Sequence, residues 1–169
     1  MHIVFLTSEY PKDGFPHGGV GTVVQTLAQE LVKQNHLVSV VGLNYLQKDE
    51  EEIDNGVVIY RYKKSKINKM GWFYNNKILN KAILRINQVK QIDVIESAEL
   101  GFAFIKKLPG IKYLIRMHGG HHFFAESENR GVEFWKAFQE RRSFRKADHI
   151  IGVSKYVLNH TSKYIDFED

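Results

Sequence analysis

The chain opens with Met1-His2-Ile3-Val4-Phe5-Leu6-Thr7 and, after ten intervening residues, continues into Gly18-Gly19-Val20-Gly21-Thr22. The opening run is apolar but too short for the core of a signal peptide, and it lacks a basic flank, so we interpret it as a strand. Apolar residues then recur at helical spacing from Val20 to Val32, which predicts a helix over residues 19–34. A strand, a glycine-rich loop and a helix are the start of an α/β fold.

Strand and helix patterns alternate along the rest of the chain. Continuous apolar runs, typical of parallel strands buried on both faces, predict strands at 3–7, 37–43, 57–62, 94–96, 113–117 and 149–153. Amphipathic patterns predict further helices around 78–89 and at 98–107, 132–146 and 154–164. We therefore expect a Rossmann-like, doubly wound and mainly parallel sheet with helices on both faces, forming a single domain over residues 1–169. No terminating feature follows the last βα unit, which favours a piece of a longer protein.

Composition excludes several classes of protein. The 169 residues are 43% hydrophobic and 25% charged, as in ordinary globular proteins, and include no cysteine. Disulfides, thiolate chemistry and cysteine-ligated metals are therefore excluded, in agreement with a reducing cytoplasm. No apolar stretch approaches the roughly 18 residues of a membrane-spanning helix. We expect a cytoplasmic protein, with peripheral attachment to the inner face of the membrane left open.

The charge of the chain, +5 overall, is unevenly distributed. Residues 49–54 hold five acids, whereas residues 55–92 hold no acid and nine bases. A segment of one sign indicates a surface for an anionic partner. Trp72-Phe73-Tyr74 lies within it, and three aromatics beside many bases would suit an anionic membrane. Core packing is the preferred interpretation of the aromatics. No nucleic-acid-binding motif is present, so no nucleic-acid partner is expected.

The glycine-rich loop precedes a helix, whose free N–H groups and positive dipole end suit a phosphate. A dinucleotide fingerprint would place its glycines directly after the first strand and an acid at the end of the second. Here the second strand ends Gly42-Leu43-Asn44, which disfavours a nicotinamide site. A P-loop is excluded because no Gly-Lys-Ser/Thr follows. The alternative is a loop that uses glycine for turns alone.

Polar residues at the ends of later strands are further candidates. His118 follows a buried strand in Arg116-Met117-His118-Gly119 and could contact a sugar hydroxyl or a phosphate oxygen. His121 and His122 are interpreted as solvated loop residues, and no metal site is expected because no acid lies among the three histidines. Glu96 and Glu99 could serve acid–base chemistry or bind hydroxyls, although an acid in a first helical turn, as at Glu99, is favoured by the helix dipole alone. Ser154 suits the N-cap of the last helix.

In order along the chain, these segments resemble the N-terminal domain of the retaining GT-B glycosyltransferases of family four. The resemblance covers nearly the whole chain and is carried by the first strand with Ser8-Glu9-Tyr10-Pro11 and Gly18-Gly19-Val20-Gly21, by Asp93-Val94-Ile95-Glu96-Ser97, by Ile115-Arg116-Met117-His118-Gly119, and by Lys146-Ala147-Asp148-His149-Ile150-Ile151-Gly152-Val153-Ser154. Each motif alone is weak, and the ordered set is fairly specific. An acid that commonly follows the histidine in the family is missing from Gly119-Gly120-His121-His122.

The resemblance implies an acceptor-side domain facing a C-terminal domain that binds most of a UDP- or GDP-sugar. Gly18 and Gly19 would then lie against the donor diphosphate and sugar, His118 near the transferred sugar as the catalytic residue, and Glu96 in or beside the acceptor pocket. Gly21, Arg116, Gly119 and Ser154 would complete the binding set. A hexosyl group would pass with retention to a carbohydrate or lipid-linked acceptor, as in polysaccharide biosynthesis, with no metal or other cofactor. The C-terminal domain would supply two glutamates, so this chain alone would be inactive.

Two other functions remain open from the sequence. One is a stand-alone Rossmann-like module that binds a nucleotide or an anionic membrane through residues 61–90 without catalysis. The other is a dehydrogenase-like nicotinamide domain.

Overall fold

The structure is a computed structural model that describes residues 1–15, 17–44, 46–68, 70–119, 131 and 133–165. Strands and helices alternate along these residues. The strands are β1 His2–Leu6, β2 Leu37–Asn44, β3 Glu50–Asp54, β4 Val57–Lys63, β5 Val94–Ser97, β6 Lys112–Met117 and β7 His149–Gly152. The helices are α1 Gly19–Lys33, α2 Gly71–Val89, α3 Phe134–Phe144 and α4 Lys155–Thr161.

The strands form a seven-stranded sheet in the order β3-β4-β2-β1-β5-β6-β7. β1 pairs in parallel with β2, β2 with β4, and β6 with β7, whereas β3 runs antiparallel to β4 at the edge. The predicted α/β class with a mainly parallel sheet is therefore confirmed. The chain contains two compact units, Met1–Ile95 and Glu96–Asp169, and each is described by itself.

The core of the first unit lies between α1 and the strands β1, β2 and β4. Val24 and Ala28 of α1, four residues apart on one face of the helix, pack on side chains from all three strands. These side chains are Ile3, Phe5, Val38, Val40, Val57 and Ile59. The apolar residues that recur at helical spacing in the sequence thus form the face of α1 that covers the sheet.

The core of the second unit is formed by β6 and the segment before it. Tyr113, Ile115 and Met117 alternate along β6 and are fully buried. The Phe102 ring meets the Tyr113 ring edge to face, with the ring centroids 5.2 Å apart. Among the described residues, no helix is long and apolar enough to cross a membrane.

The segment 98–107 does not form the helix that its apolar pattern predicts. It makes successive hydrogen-bonded turns, in which the backbone N–H groups of Gly101, Ala103 and Ile105 donate to the carbonyl oxygens three residues earlier. The Lys146 ammonium donates to the carbonyls of residues 102, 103 and 105, at 3.0, 3.0 and 2.6 Å. These tertiary hydrogen bonds occupy carbonyl oxygens that a helix would use, so long-range contacts override the local pattern.

Other boundaries differ less from the predictions. β3 was not predicted, because its acidic sequence carries no apolar signal and its strand form depends on pairing with β4. α2 begins at Gly71, earlier than its apolar pattern indicates, and α4 ends at Thr161. Val132, at the predicted start of α3, lies outside the described residues. Ser154 is confirmed as the N-cap of α4, since its Oγ accepts the Val157 N–H at 3.2 Å.

Candidate functional site

The loop after β1 is held in place by a buried arginine of β4. Arg61 is only 7% exposed. Its guanidinium donates to the carbonyls of Tyr10 and Pro11 at 2.9 and 2.8 Å, and to the Glu52 carboxylate at 2.7 Å. Arg61, which the sequence groups with the bases of residues 55–92, is therefore occupied inside the protein and does not contribute to a surface for anions.

A second set of hydrogen bonds ties the same loop to α1. The Tyr10 hydroxyl donates to Asp54 Oδ2 at 2.8 Å, and the side-chain amides of Gln25 and Gln29 donate to the same oxygen at 3.0 and 2.9 Å. Burial, with Asp54 beside it, raises the pKa of Tyr10, and hydrogen bonds, that from Gln25 foremost, lower the pKa of Asp54. The loop that leads to the glycines is thus fixed to both the edge strand and the helix.

The three glycines of the turn differ in what a side chain would meet. A Cβ at Gly21 would overlap the backbone carbonyl of Glu9, and a Cβ at Gly18 would lie 2.7 Å from Glu9 Oε2. A Cβ at Gly19 would meet nothing within 4 Å. None of the three has a positive φ, so the alternative that they serve turns alone has no support in their backbone angles. The close approach of the Glu9 carbonyl requires glycine at position 21, whereas a side chain at position 19 would enter open space.

The open space at Gly19 lies at the start of α1. Gly18 is the N-cap, no side chain caps the first turn, and that turn holds no acid. The first N–H groups of a helix lack partners within the helix, and the dipole there favours negative charge. The turn therefore offers N–H groups to an anionic group beside Gly19, where a Cβ would meet no protein atom within 4 Å.

Glu9 was not predicted to shape this turn. Its carbonyl packs on Gly21 and its carboxylate lies beside Gly18, while its side chain remains exposed. Nothing in the sequence indicates this contact, because it depends on how the loop after β1 folds back on α1.

In the second unit, two predicted site residues bind each other. Glu96 ends up buried on β5, only 6% exposed, and Arg116 lies on β6. Arg116 Nε donates to Glu96 Oε1 at 2.6 Å, and Nη2 donates to Oε2 at 3.1 Å. This two-pronged ion pair neutralises both groups and fixes their planes. If either side chain contacts a substrate, it does so while it is bound to the other.

Glu99 holds the turn that carries His118. Glu99 is 3% exposed, and its Oε1 accepts the backbone N–H groups of His118 and Gly119 at 2.6 and 2.8 Å. Burial raises the pKa of Glu99 above its ordinary value, although these hydrogen bonds favour the charged form. The interpretation of Glu99 as an acid at a helix start is wrong, because no helix follows it.

His118 follows β6 directly, as predicted, and is half-buried. Gly119 has a φ of 113°, a conformation that glycine adopts without strain. His121 and His122 lie outside the described residues. Ser154 is exposed, and its Oγ is used in capping α4. In the ranges that the structure describes, no group of three or more histidine, cysteine or acidic residues is arranged to hold a metal ion.

Comparison with known proteins decides the family. The sequence profile of Glycosyltransferase Family 4 matches residues 17–169. The chain belongs to glycosyltransferase family 4. The resemblance drawn from the sequence motifs is thereby confirmed, and the glycine turn, Glu96, Arg116 and His118 all lie within the matched part of this family 4 chain. No curated protein matches the sequence.

Solved structures of glycosyltransferases have a similar fold. Sucrose-phosphate synthase from Thermosynechococcus elongatus is 13% identical, with a TM-score of 0.79, over 98% of this chain and 46% of that one. The α,α-trehalose 6-phosphate synthase of Burkholderia multivorans is 13% identical, with a TM-score of 0.59, over 98% and 42%. An E. coli trehalose-6-phosphate structure with bound UDP-2-fluoro glucose is 11% identical, with a TM-score of 0.56, over 94% and 41%. This family 4 chain spans less than half the length of these three chains.

Substitutions at the two glycines should have opposite effects on folding. Gly21→Ala places a methyl group against the Glu9 carbonyl and should lower the free energy of unfolding by about 1–3 kcal/mol. Gly19→Ala enters open space on a helix and should leave it unchanged or raise it by up to about 1 kcal/mol. Denaturant unfolding followed by circular dichroism measures both. Equal losses for the two variants would contradict the packing described here.

Glu99 should make stability depend on pH. Because the pKa of Glu99 is raised in the folded state above its ordinary 4.5, the folded protein holds this proton more tightly than the unfolded chain. Its stabilising contribution is present below pH 4.5 and is lost as the pH rises through the folded pKa. Glu99→Gln, which keeps an acceptor oxygen, should remove this part of the decline in the free energy of unfolding as the pH rises.

Compared with Glu99→Gln, Glu99→Ala should lower the free energy of unfolding by about 1–3 kcal/mol at all pH values, since it leaves two backbone N–H groups without their acceptor. Unfolding free energies measured across the acid range compare the three proteins. Identical pH profiles for the native protein and Glu99→Gln would refute the assignment.

Proposed function

We propose that this family 4 domain forms the acceptor-side wall of a retaining glycosyltransferase site. A hexosyl group would pass from a UDP- or GDP-sugar to a carbohydrate or lipid-linked acceptor, as in polysaccharide biosynthesis. The observation that carries the proposal is the open, uncapped helix start at Gly19 in a chain of this family. A similar structure, solved with UDP-2-fluoro glucose, supports a nucleotide-sugar donor.

The proposed role of the glycine turn is to receive the donor diphosphate. The Glu9 carboxylate lies beside Gly18 and would repel phosphate there, so we place the phosphates against Gly19 and the amides of the first turn. When the bond between the anomeric carbon and the phosphate oxygen breaks, negative charge grows on the departing nucleoside diphosphate. Fixed N–H groups at a helix start stabilise such charge more in the transition state than in the bound donor.

The proposed role of His118 is to contact the transferred sugar. An imidazole can donate to or accept from a hydroxyl, and the Glu99 carboxylate fixes the backbone from which His118 extends. The Glu96–Arg116 pair supplies a second rigid polar feature at the ends of β5 and β6, which we assign to the acceptor. Gly21, Gly119 and Ser154 then support these groups through backbone shape and capping. No metal or other cofactor takes part in this proposal.

We assign the remaining parts of the site to partners of the domain. A second, C-terminal domain would bind most of the nucleotide-sugar and bring the two glutamates that the family resemblance implies, so the chain alone would not turn over. We place the protein in the cytoplasm, attached peripherally to the inner face of an anionic membrane. A non-catalytic module that binds only such a membrane is the second candidate, favoured by the exposed aromatic side chains at the start of α2.

Titration of the ¹⁵N-labelled chain with UDP- and GDP-sugars, followed by amide chemical shifts, tests the donor proposal. Binding should be weak, because most donor contacts would lie on another domain, and the shifts should centre on Gly19, Val20 and Gly21. Gly19→Leu should abolish the shifts, whereas Gly131→Leu, which also adds a side chain in open space, should retain them. Tighter binding of NAD than of either sugar nucleotide would contradict the proposal and favour a nicotinamide domain.

A further inference from the structure

We propose that the acceptor of this protein is carried by an anionic membrane, which the chain contacts through the start of α2. The inference rests on the proposed transferase function and narrows its acceptor to the lipid-linked class. The contact surface consists of an aromatic tip, which we define as Ile67, Met70, Trp72, Phe73 and Tyr74, and of the lysines that follow it on the helix.

The aromatic tip gathers exposed apolar side chains over a short stretch of the chain. Its five side chains are between 37% and 51% exposed, although they are among the largest apolar groups of the chain. The rings of Trp72 and Phe73 meet edge to face at 6.1 Å, and those of Phe73 and Tyr74 at 5.7 Å. Core packing, the interpretation preferred from the sequence, therefore does not account for the exposed part of these rings. Clustered exposed apolar side chains of this kind mark a site of interaction.

Positive charge continues directly from the tip along α2. Lys77 and Lys81 follow Phe73 at intervals of four residues, which places the three on one face of the helix, and both lysines are exposed. Arg85, the next residue in this row, instead lines a groove of about 580 Å³ together with Asp49 and Glu51. Lys77 and Lys81 are therefore the bases of this row that lie nearest to the tip.

This combination matches the surface of an anionic bilayer. Aromatic rings and lysines are the groups that interfacial helices place at the headgroup level, where anionic lipids attract the cations. Nucleic acid would also attract the lysines, and its bases could stack on the rings. Ile67 and Met70, however, are as exposed as the rings and gain nothing from stacking, whereas both gain from burial among acyl chains.

The position of the tip connects the membrane to the acceptor. β1, β2 and β4 are parallel, so their carboxyl ends lie at one edge of this part of the sheet. The glycine turn follows the carboxyl end of β1, and the tip follows the carboxyl end of β4. A chain docked through the tip therefore turns the edge that carries Gly19 toward the lipid surface. An acceptor embedded in that surface is within reach of this edge, and one free in solution gains nothing from the docking.

Co-sedimentation with vesicles tests the docking surface in the chain as it is. We expect binding to phosphatidylcholine vesicles that contain phosphatidylglycerol, a loss of binding at high salt, and little binding to phosphatidylcholine alone. Lys77→Gln with Lys81→Gln should weaken the partition coefficient by about fivefold for each lysine. Phe73→Ser should weaken it roughly tenfold. These side chains are exposed, so circular dichroism should show an unchanged fold.

Matched variants elsewhere control for general loss of charge and apolar surface. Lys33→Gln with Lys112→Gln removes the same charge from other exposed positions, and Phe134→Ser removes the same ring from α3. Both controls should bind like the native chain. Equal effects in variants and controls, binding that ignores phosphatidylglycerol, or displacement from the vesicles by single-stranded RNA with loss in the same variants would overturn the proposal.

The acceptor is tested with the complete gene product and a labelled UDP- or GDP-sugar in the presence of membrane extract. Label that enters the chloroform-soluble fraction supports a lipid-linked acceptor. Label that enters only water-soluble glycans overturns this inference and leaves the transferase function intact. Failure of the nucleotide titration, by contrast, would refute the proposed function itself, and the vesicle experiment does not depend on it.

Discussion

Three hydrogen bonds from one buried guanidinium hold the candidate donor turn in place. Arg61 reaches from β4 to the carbonyls of Tyr10 and Pro11, and its charge is balanced by Glu52 on the edge strand β3. The Tyr10 hydroxyl, which donates to Asp54, ties the same loop to the edge strand and to α1. With the loop fixed, Glu9 packs on Gly21, and this contact leaves Gly19 exposed at an uncapped helix start. The proposed phosphate contact thus depends on an arginine of β4, two strands away from β1 in the sheet.

The fold could be predicted from local patterns wherever one face or both faces of an element are apolar. Runs such as Val38–Val41 and the spacing of Val24 and Ala28 in α1 gave strands and helices close to the observed positions. β3 escaped prediction because its acidic sequence carries no apolar signal; in the fold, Lys12 and Arg61 neutralise two of its acids, Glu50 and Glu52. The segment 98–107 was wrongly predicted as a helix because the Lys146 ammonium, far along the chain, binds its carbonyls.

The types of the candidate site residues and their positions at the ends of strands could be predicted from the sequence, but their hydrogen-bond partners could not. The rule that ligands lie beyond the carboxyl ends of parallel strands drew attention to the glycine turn, Glu96 and His118. It could not foresee that Glu96 and Arg116 bind each other, or that Glu99 holds the backbone of His118 and Gly119. In the same way, the sequence treats the bases of residues 55–92 as one group. The structure separates buried Arg61 from the exposed Lys77 and Lys81 beside the aromatic tip.

The central claim is that Gly19 faces the donor diphosphate in a working transferase. The most direct measurement is the rate at which the complete gene product consumes a labelled sugar nucleotide with acceptor present, compared between the native protein and Gly19→Leu. Because a Cβ at Gly19 meets no protein atom, Gly19→Leu should fold normally and lose nearly all turnover. A folded Gly19→Leu protein that transfers sugar at the native rate would contradict the account.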